Sequence, residues 1–269
     1  MGQLRETVAR ATISNTHGFL WVLHCKNKLL RIYTQNIDGL ERRIGIPLVE
    51  SPNHQFLQGG YVPLHGTLTQ LICTRCLATR FFGEVDMKVF QSGKAPDCSS
   101  CLGKGESNSY FYIPKTTKTT FPVTDPRLRQ RPIGQLRPNV VLYNEHHPKG
   151  DEISDIVKYD LRQKPSMLIV MGTTLSIPSL REYTKMFVKE VHAGNGLVVF
   201  VNKEKLGVKM WEEAFDYMIL GDVDKWVMEA ANYWHKKKPD DWSETGKVDS
   251  KTLSRYKLME QVDLLNTKV

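Results

Sequence analysis

The rhythm of apolar and polar positions changes twice along this chain. Over residues 4–27 apolar residues recur at helical spacing, with Phe19, Leu20 and Leu23 on one face and Thr16 placed as an N-cap. Leu29–Thr34 is a short β-rich run that feeds a polar loop. From 66 to 115 long apolar runs are few, and 116–136, rich in Thr, Pro and Arg, reads as loop. Beyond that, strands and helices alternate. Asn139–Tyr143 is a strand, 151–163 a helix, Ser166–Met171 a continuously apolar strand ending in Gly172-Thr173-Thr174, and 178–193 a helix. Leu197–Val201 is a second buried strand, Tyr217–Leu220 a third, and a helix runs from Val223 to about Trp234. Such strands between helices predict an α/β fold: a Rossmann-like, doubly wound parallel sheet covered on both faces.

In sheets of this kind a ligand sits outside the C-terminal strand ends. Gln35, Asn36, Asp38, Thr173, Thr174, Asn202 and Asp222 all fall at such ends and are expected to converge on one crevice.

Four cysteines break the pattern. Cys73 and Cys76 form one Cys-x-x-Cys pair, Cys98 and Cys101 another, with 21 residues between the pairs. Each pair can give two thiolates to a tetrahedral metal, and four thiolates leave no open position. A structural Zn2+ in a small zinc-ribbon insertion is therefore expected over 66–115. The N-terminus has no apolar signal segment, which implies a reducing compartment where such thiols serve metal and not disulfides. Cys25, in an amphipathic stretch, reads as a small core residue. The implied organisation is an N-terminal part of the Rossmann-like domain over 1–65, the zinc module over 66–115, the rest of that domain over 116–235, and a polar tail over 236–269. In the tail Leu258, Val262 and Leu265 keep helical spacing, as a docking or partner-binding helix would.

Length and charge narrow the class. The 269 residues, 41% of them hydrophobic, suit one large domain with an insertion, or two domains. No apolar run approaches the roughly 20 residues that cross a bilayer, so no membrane partner is expected. The net charge of +8 favours acidic surroundings, nucleic acid and chromatin among them, although only Lys236-Lys237-Lys238 clusters tightly. The cysteine segment lacks dense basic residues with interleaved aromatics, which weakens a zinc-ribbon nucleic-acid reading.

Seven segments occur in order: YTQNIDGLE at 33–41, LHG at 64–66, the two cysteine pairs, LRPNVVLYNEHHP at 136–148, MGTTLSIPSL at 171–180, VFVNKE at 199–204 and LGDVDKW at 220–226. Together they resemble the sirtuins, NAD-dependent protein-lysine deacylases. The wording is most similar to the fungal nuclear branch that acts on histones. The resemblance implies a histone deacetylase that moves an acetyl group from lysine to ADP-ribose and releases nicotinamide. It implies His65 as general base, with Asn36 and Asp38 also catalytic. It assigns NAD contacts to Gln35, Asn36, Ile37, Asp38, Gly172, Thr173, Thr174, Asn202, Asp222 and Val223. Val141, Leu142, Tyr143, Asn144 and Glu145 would bind the acetylated lysine peptide, with Tyr143-Asn144-Glu145 where the family usually has Phe-Gly-Glu. A nuclear, chromatin-associated protein is implied.

One departure stands out. The family opens with a strand ending in Gly-Ala-Gly-x-Ser, and this sequence has no such run; Gly103-Lys104-Gly105 and Gly194-Asn195-Gly196 are placed elsewhere. The first strand and the cofactor loop are expected to be missing, with weak NAD binding. An inactive zinc-containing binding module is the alternative.

Overall fold

The computed structural model describes residues 2–49, 59–106, 133–142, 145, 147–207, 211 and 213–239. Tyr143 and Asn144, most of the 116–136 loop and the tail helix expected at 258–265 fall outside these residues.

The stretch 4–27 forms two helices, α1 (Gly2–Arg10) and α2 (Asn15–Cys25), where the pattern had suggested one. Ser14 takes extended backbone (φ −91°, ψ 168°), and its hydroxyl lies 2.9 Å from Nδ1 of His17, one turn into α2. A capping residue that satisfies its own backbone ends one helix and begins the next. Thr16, the expected cap, instead donates its N–H and hydroxyl to Asp224 at 2.8 and 2.5 Å. The remaining elements are β1 (Arg31–Thr34), α3 (Leu40–Arg43), β2 (Gly60–Pro63), β3 (Gly66–Cys73), β4 (Thr79–Phe81), α4 (Glu84–Gln91), α5 (Ser99–Glu106), β5 (Leu136–Val140), α6 (Gly150–Arg162), β6 (Met167–Met171), α7 (Pro178–Ala193), β7 (Leu197–Asn202), β8 (Tyr217–Leu220) and α8 (Val223–Lys237).

The chain divides into two compact units. One comprises 1–11, 36–39 and 65–145; the other comprises 12–35, 40–64 and 146–269.

The first unit is built on an antiparallel sheet of order β4-β3-β5. Its core is Leu71, Cys73, Phe82, Cys98 and Leu136, with Met87 and Phe90 packed alongside. So small a core needs other bracing. Arg80 grips Asp86 through two 2.6 Å bonds, and Asp86 also accepts the Gly83 N–H at the start of α4. These bonds, that from Arg80 foremost, hold the Asp86 carboxyl below the usual carboxylate range.

The second unit carries the parallel strands, in two separate ladders among the described residues: β1-β2 and β6-β7-β8. The Rossmann-like expectation holds in strand direction and in the helices between strands. Burial is uneven, for a physical reason. β7 lies between two neighbours and is buried along nearly all its length, whereas β6 and β8 flank it and Met167 is 52% exposed. Helices α6 and α7 join the ladders through one apolar cluster: Val62 of β2, Ile153, Ile156 and Val157 of α6, and Phe187 of α7, with Tyr33 and Leu168 against it. No helix among the described residues is long and apolar enough to cross a membrane.

Inside this unit lies a buried ion pair. Arg31 of β1 donates Nε–H and a terminal N–H to the two carboxylate oxygens of Asp160 on α6, at 2.9 and 3.0 Å. The Tyr33 hydroxyl donates to the same carboxylate at 2.7 Å. The two charged side chains are 2% and 0% exposed. Burial first, and the Asp160 charge second, push the Tyr33 hydroxyl far above its ordinary pKa, so it stays a donor.

Removing one partner of such a pair leaves a charge stranded in a dry interior. Asp160→Ala is expected to cost about 3–5 kcal/mol in denaturant unfolding. Glu6→Ala, which breaks an exposed α1 pair with Arg10, should cost under about 0.5 kcal/mol. Similar losses for both would refute this ranking.

Candidate active site and metal centre

The cysteine pairs meet in the first unit. Cys73 ends β3, and its N–H donates to the Ala78 carbonyl at 2.9 Å across the turn. Leu77 in that turn has φ +58°, a left-handed backbone that folds the knuckle back on itself. The second knuckle begins at Cys98, whose N–H donates to the Gly134 carbonyl at 2.8 Å, and Cys101 sits in α5. No cysteine is in a disulfide.

All four Sγ atoms lie within 4.8 Å of one another, with Cys73–Cys101 and Cys76–Cys98 both at 3.7 Å. A tetrahedron of metal–sulfur bonds of about 2.3 Å has edges of about 3.8 Å, so the donor set has the dimensions of a zinc site. The N–H groups of Arg75 and Cys76 both point at the Cys73 sulfur at 3.4 Å. The Cys76 N–H above all, and then that of Arg75, draw the Cys73 thiol down to about 6 against the upward push of burial. A residue missed in the sequence completes the centre. A Cβ on Gly134 would stand 2.4 Å from the Cys73 sulfur and 3.4 Å from that of Cys101. Its signal was faint, a glycine just before the strand that pairs with the cysteine strand.

The same unit gathers much of the expected catalytic set around the start of β3. Leu68 N–H donates to the Ile37 carbonyl at 2.8 Å, which holds the Asn36–Gly39 turn against β3. Gly39 turns with φ +70°, and a Cβ there would press on Thr69 at 3.2 Å. Val141 N–H donates to the His65 carbonyl at 3.0 Å, extending the β3–β5 pairing. Asn36, Ile37, Asp38, His65 and Val141 are thus tied by backbone bonds, with His65 half-buried and Asn36 exposed.

Leu142 and Glu145, beyond the end of β5, are bonded to each other. Glu145 N–H donates to Leu142 O and its carboxylate accepts the Leu142 N–H, both at 3.0 Å. Arg137 of β5 pairs with the same carboxylate and donates to Val140 O at 3.0 Å. Arg137, not singled out in the sequence, ties the Glu145 carboxylate to the end of β5.

The second unit holds the other candidates along one strand-end edge. Register aligns Met171 with Val201 and Asn202 with Leu220; Gly172 N–H donates to Val201 O at 3.0 Å and Gly221 N–H to Asn202 O at 2.9 Å. Gln35, after β1, accepts the Thr173 hydroxyl proton at 2.6 Å. Thr174, exposed, donates to the Ser176 hydroxyl at 3.3 Å. Asn202 is buried and donates to the Glu204 carbonyl at 2.9 Å. Asp222 caps α8 by accepting the N–H groups of Asp224 and Lys225 at 3.0 and 3.3 Å, with Lys203 Nζ at 3.2 Å. Lys203 first, and these N–H groups after it, hold the Asp222 carboxyl below the usual carboxylate range. Val223 opens α8 behind this cap. These bonds give Asn202 and Asp222 structural duties that their motif positions did not reveal.

A family model described as the Sir2 family matches residues 3–179. The chain is 36% identical over 235 residues to the NAD-dependent histone deacetylase HST3 of Candida albicans, covering 84% of this chain and 46% of that protein. It is 34% identical over 235 residues to the NAD-dependent histone deacetylase HST3 of Saccharomyces cerevisiae, covering 84% of this chain and 49% of that protein. The chain spans about half the length of these curated relatives. A solved structure of a Sir2 protein with a p53 peptide and NAD+ matches with a TM-score of 0.58 at 21% identity, over 87% of this chain and 73% of that one. That likeness concerns the fold.

The metal centre is directly testable. Purified protein should carry one equivalent of zinc, and Cys98→Ser should lose it and melt at lower temperature, since thiolate modules draw folding energy from their metal. Gly134→Ala should weaken zinc retention by displacing the Cys73 sulfur. Metal analysis that finds no zinc in the parent chain, or full zinc in Cys98→Ser, would sink the assignment.

Proposed function

The chain belongs to the Sir2 family, and from that premise we propose that it is an NAD-dependent protein-lysine deacetylase acting on acetylated histone peptides in the nucleus. The observation that carries this reading is the pair of backbone bonds, Leu68 to Ile37 and Val141 to His65, that ties the Asn36–Asp38 turn and the peptide-binding segment to the His65 strand. The relatives' names support the enzyme reading over that of a zinc-containing binding module. The net charge of +8 agrees with a chromatin setting.

In this reading NAD, when bound, supplies the ribose carbon that takes the acetyl oxygen as nicotinamide leaves. His65 takes a proton from a ribose hydroxyl, a task an imidazole ring nitrogen can perform as general base. Asn36 offers both a donor and an acceptor to a ribose hydroxyl or an ordered water, and Asp38 accepts from the nicotinamide amide. Ile37 holds the turn between them through its carbonyl. Gly172, Thr174, Asn202, Asp222 and Val223 line the strand-end edge on which the nucleotide rests. Val141 has given its N–H to His65, so its carbonyl is the group to accept the acyl-lysine N–H. Leu142 and Glu145, with Tyr143 and Asn144 between them, complete the peptide segment. The zinc module braces the scaffold and takes no part in the chemistry, because four cysteines leave the metal no open position.

His65→Ala should retain zinc and the wild-type melting temperature while losing about 10²–10⁴ in rate on an acetylated histone peptide. Deacetylation should require NAD and release nicotinamide in equal amount. Wild-type turnover in His65→Ala would remove the base from His65; acetyl loss without NAD would refute the reaction class.

A further inference from the structure

Helices α2 and α8 lie parallel in the second unit. At their N-terminal ends Asp224 of α8 accepts the Thr16 N–H and hydroxyl at 2.8 and 2.5 Å. One turn on, Phe19 meets Trp226 edge to face, with 6.4 Å between ring centroids. Near the C-terminal ends Trp234 packs with Leu20 and Leu23 against the cluster that holds Trp21 and Val22. Lys28, just beyond α2, places Nζ 5.7 Å from the centroid of the Trp234 ring. Both helices therefore end on the same side of the unit.

This arrangement brings together lysines far apart in the sequence. Residues three and four positions along a helix share a face, so Lys237 and Lys238 stand one turn beyond Trp234, and Lys236 and Lys237 one turn beyond Tyr233. The Lys237 Nζ lies 5.7 Å from the centroid of the Tyr233 ring. Lys28, Lys236, Lys237 and Lys238 are all exposed, and so is Tyr233 between them. No ion pair joins Lys236, Lys237 or Lys238 to another described residue. The negative end of a helix dipole accounts for a cation or two at a C-terminus. Four ammonium groups from two helices, set around two aromatic rings, go beyond that and form a cationic strip.

The chemistry of the strip selects its partner. A lysine ammonium is a compact point charge without the planar fork of arginine. Such groups suit phosphates along a backbone, which fix position without reading base edges. Duplex DNA carries one negative charge per about 1.7 Å of axis, so several phosphates fall within a strip that spans two helices about 8–10 Å apart. Asp240 and Asp241 follow in the sequence and lower the local charge, which points to weak, sequence-independent contact.

We propose that the paired C-terminal ends of α2 and α8 form a binding surface for the phosphate backbone of duplex DNA, held by Lys28, Lys236, Lys237 and Lys238. The surface uses none of the residues assigned to the deacetylase site and does not rest on that reading.

The test is fluorescence anisotropy of a short labelled duplex with the zinc-loaded full chain over a salt series. The parent should bind duplexes of unrelated sequence alike, with affinity falling as salt rises. Changing Lys236, Lys237 and Lys238 together to Gln should weaken binding at least about tenfold at low salt and reduce the slope of log affinity against log salt by about two to three. Adding Lys28→Gln should take about one more from the slope. A control with Lys158, Lys185 and Lys189 of α6 and α7 changed to Gln alters the net charge equally and should bind within about threefold of the parent. Zinc content and melting temperature report folding, and single Lys→Gln variants, each lowering the slope by about one, replace any combined variant that does not fold. A parent chain that binds no duplex, equal losses in the two triple variants, or an unchanged salt slope overturns the surface. Capture of polyglutamate or of phosphatidylserine vesicles in preference to duplex at the same salt overturns it as well.

Discussion

A guanidinium and a carboxylate with almost no exposure, Arg31 and Asp160, are the constraint on which the second unit turns. Two buried ions tolerate little displacement, because any slippage strands charge in a medium that cannot solvate it. The pair therefore sets where β1 lies against α6, and Tyr33 adds a third bond to the same carboxylate. Gln35 follows two residues after Tyr33. A rigid β1 thus delivers a polar side chain to a defined point, where Thr173 receives it. Apolar packing of Val62, Ile156, Val157 and Phe187 encloses the ion pair's surroundings but would by itself allow more freedom of register.

The first unit meets the same need differently. Its core is small, and two of the buried residues in it are cysteines. Four sulfurs at metal-site spacing, with backbone N–H groups aimed at one of them, supply the cohesion that apolar area alone does not. Gly134 marks how close the packing is around them, since the sulfurs leave no room for one more carbon. The stiffness has a use. β3 runs from Gly66 to Cys73, so the strand that ends in one of the four cysteines is directly preceded by His65. Brace and proposed base share one ladder, with β5 pairing along it and leading into Val141.

The chain passes from one unit to the other at Ala11–Thr12, Gln35–Asn36, Gly39–Leu40, Leu64–His65 and Glu145–His146. Among the described residues, several of those proposed for the site are held by backbone bonds or by short side-chain bonds to neighbours. Asn202 and Asp222 anchor local structure with the groups that also suit a nucleotide, a turn in one case and a helix start in the other.

Local chemistry was legible in the sequence. The paired cysteines announced a four-thiolate centre because the Cys-x-x-Cys turn carries its geometry within four residues. The apolar runs announced parallel strands, and β7 obeyed them fully. The polar residues at strand ends were recognisable because strand ends are where a doubly wound sheet leaves its ligand face. What escaped was every decision between residues far apart in the chain. The helix expected over 4–27 breaks at Ser14 because a cap there, and the grip of Asp224 on Thr16 from 208 positions away, outweigh continuous helical spacing. The burial of Arg31 was hidden, since a lone arginine in a strand looks solvated until Asp160 comes 2.9 Å from it. Nothing in the sequence near Thr173 showed that Gln35, 138 residues earlier, accepts its hydroxyl proton. Residue types and short spacings determined which chemistry was present. Only the tertiary structure decided which groups are already satisfied by one another, because hydrogen bonds and buried charges answer to distance in space and not to order along the chain.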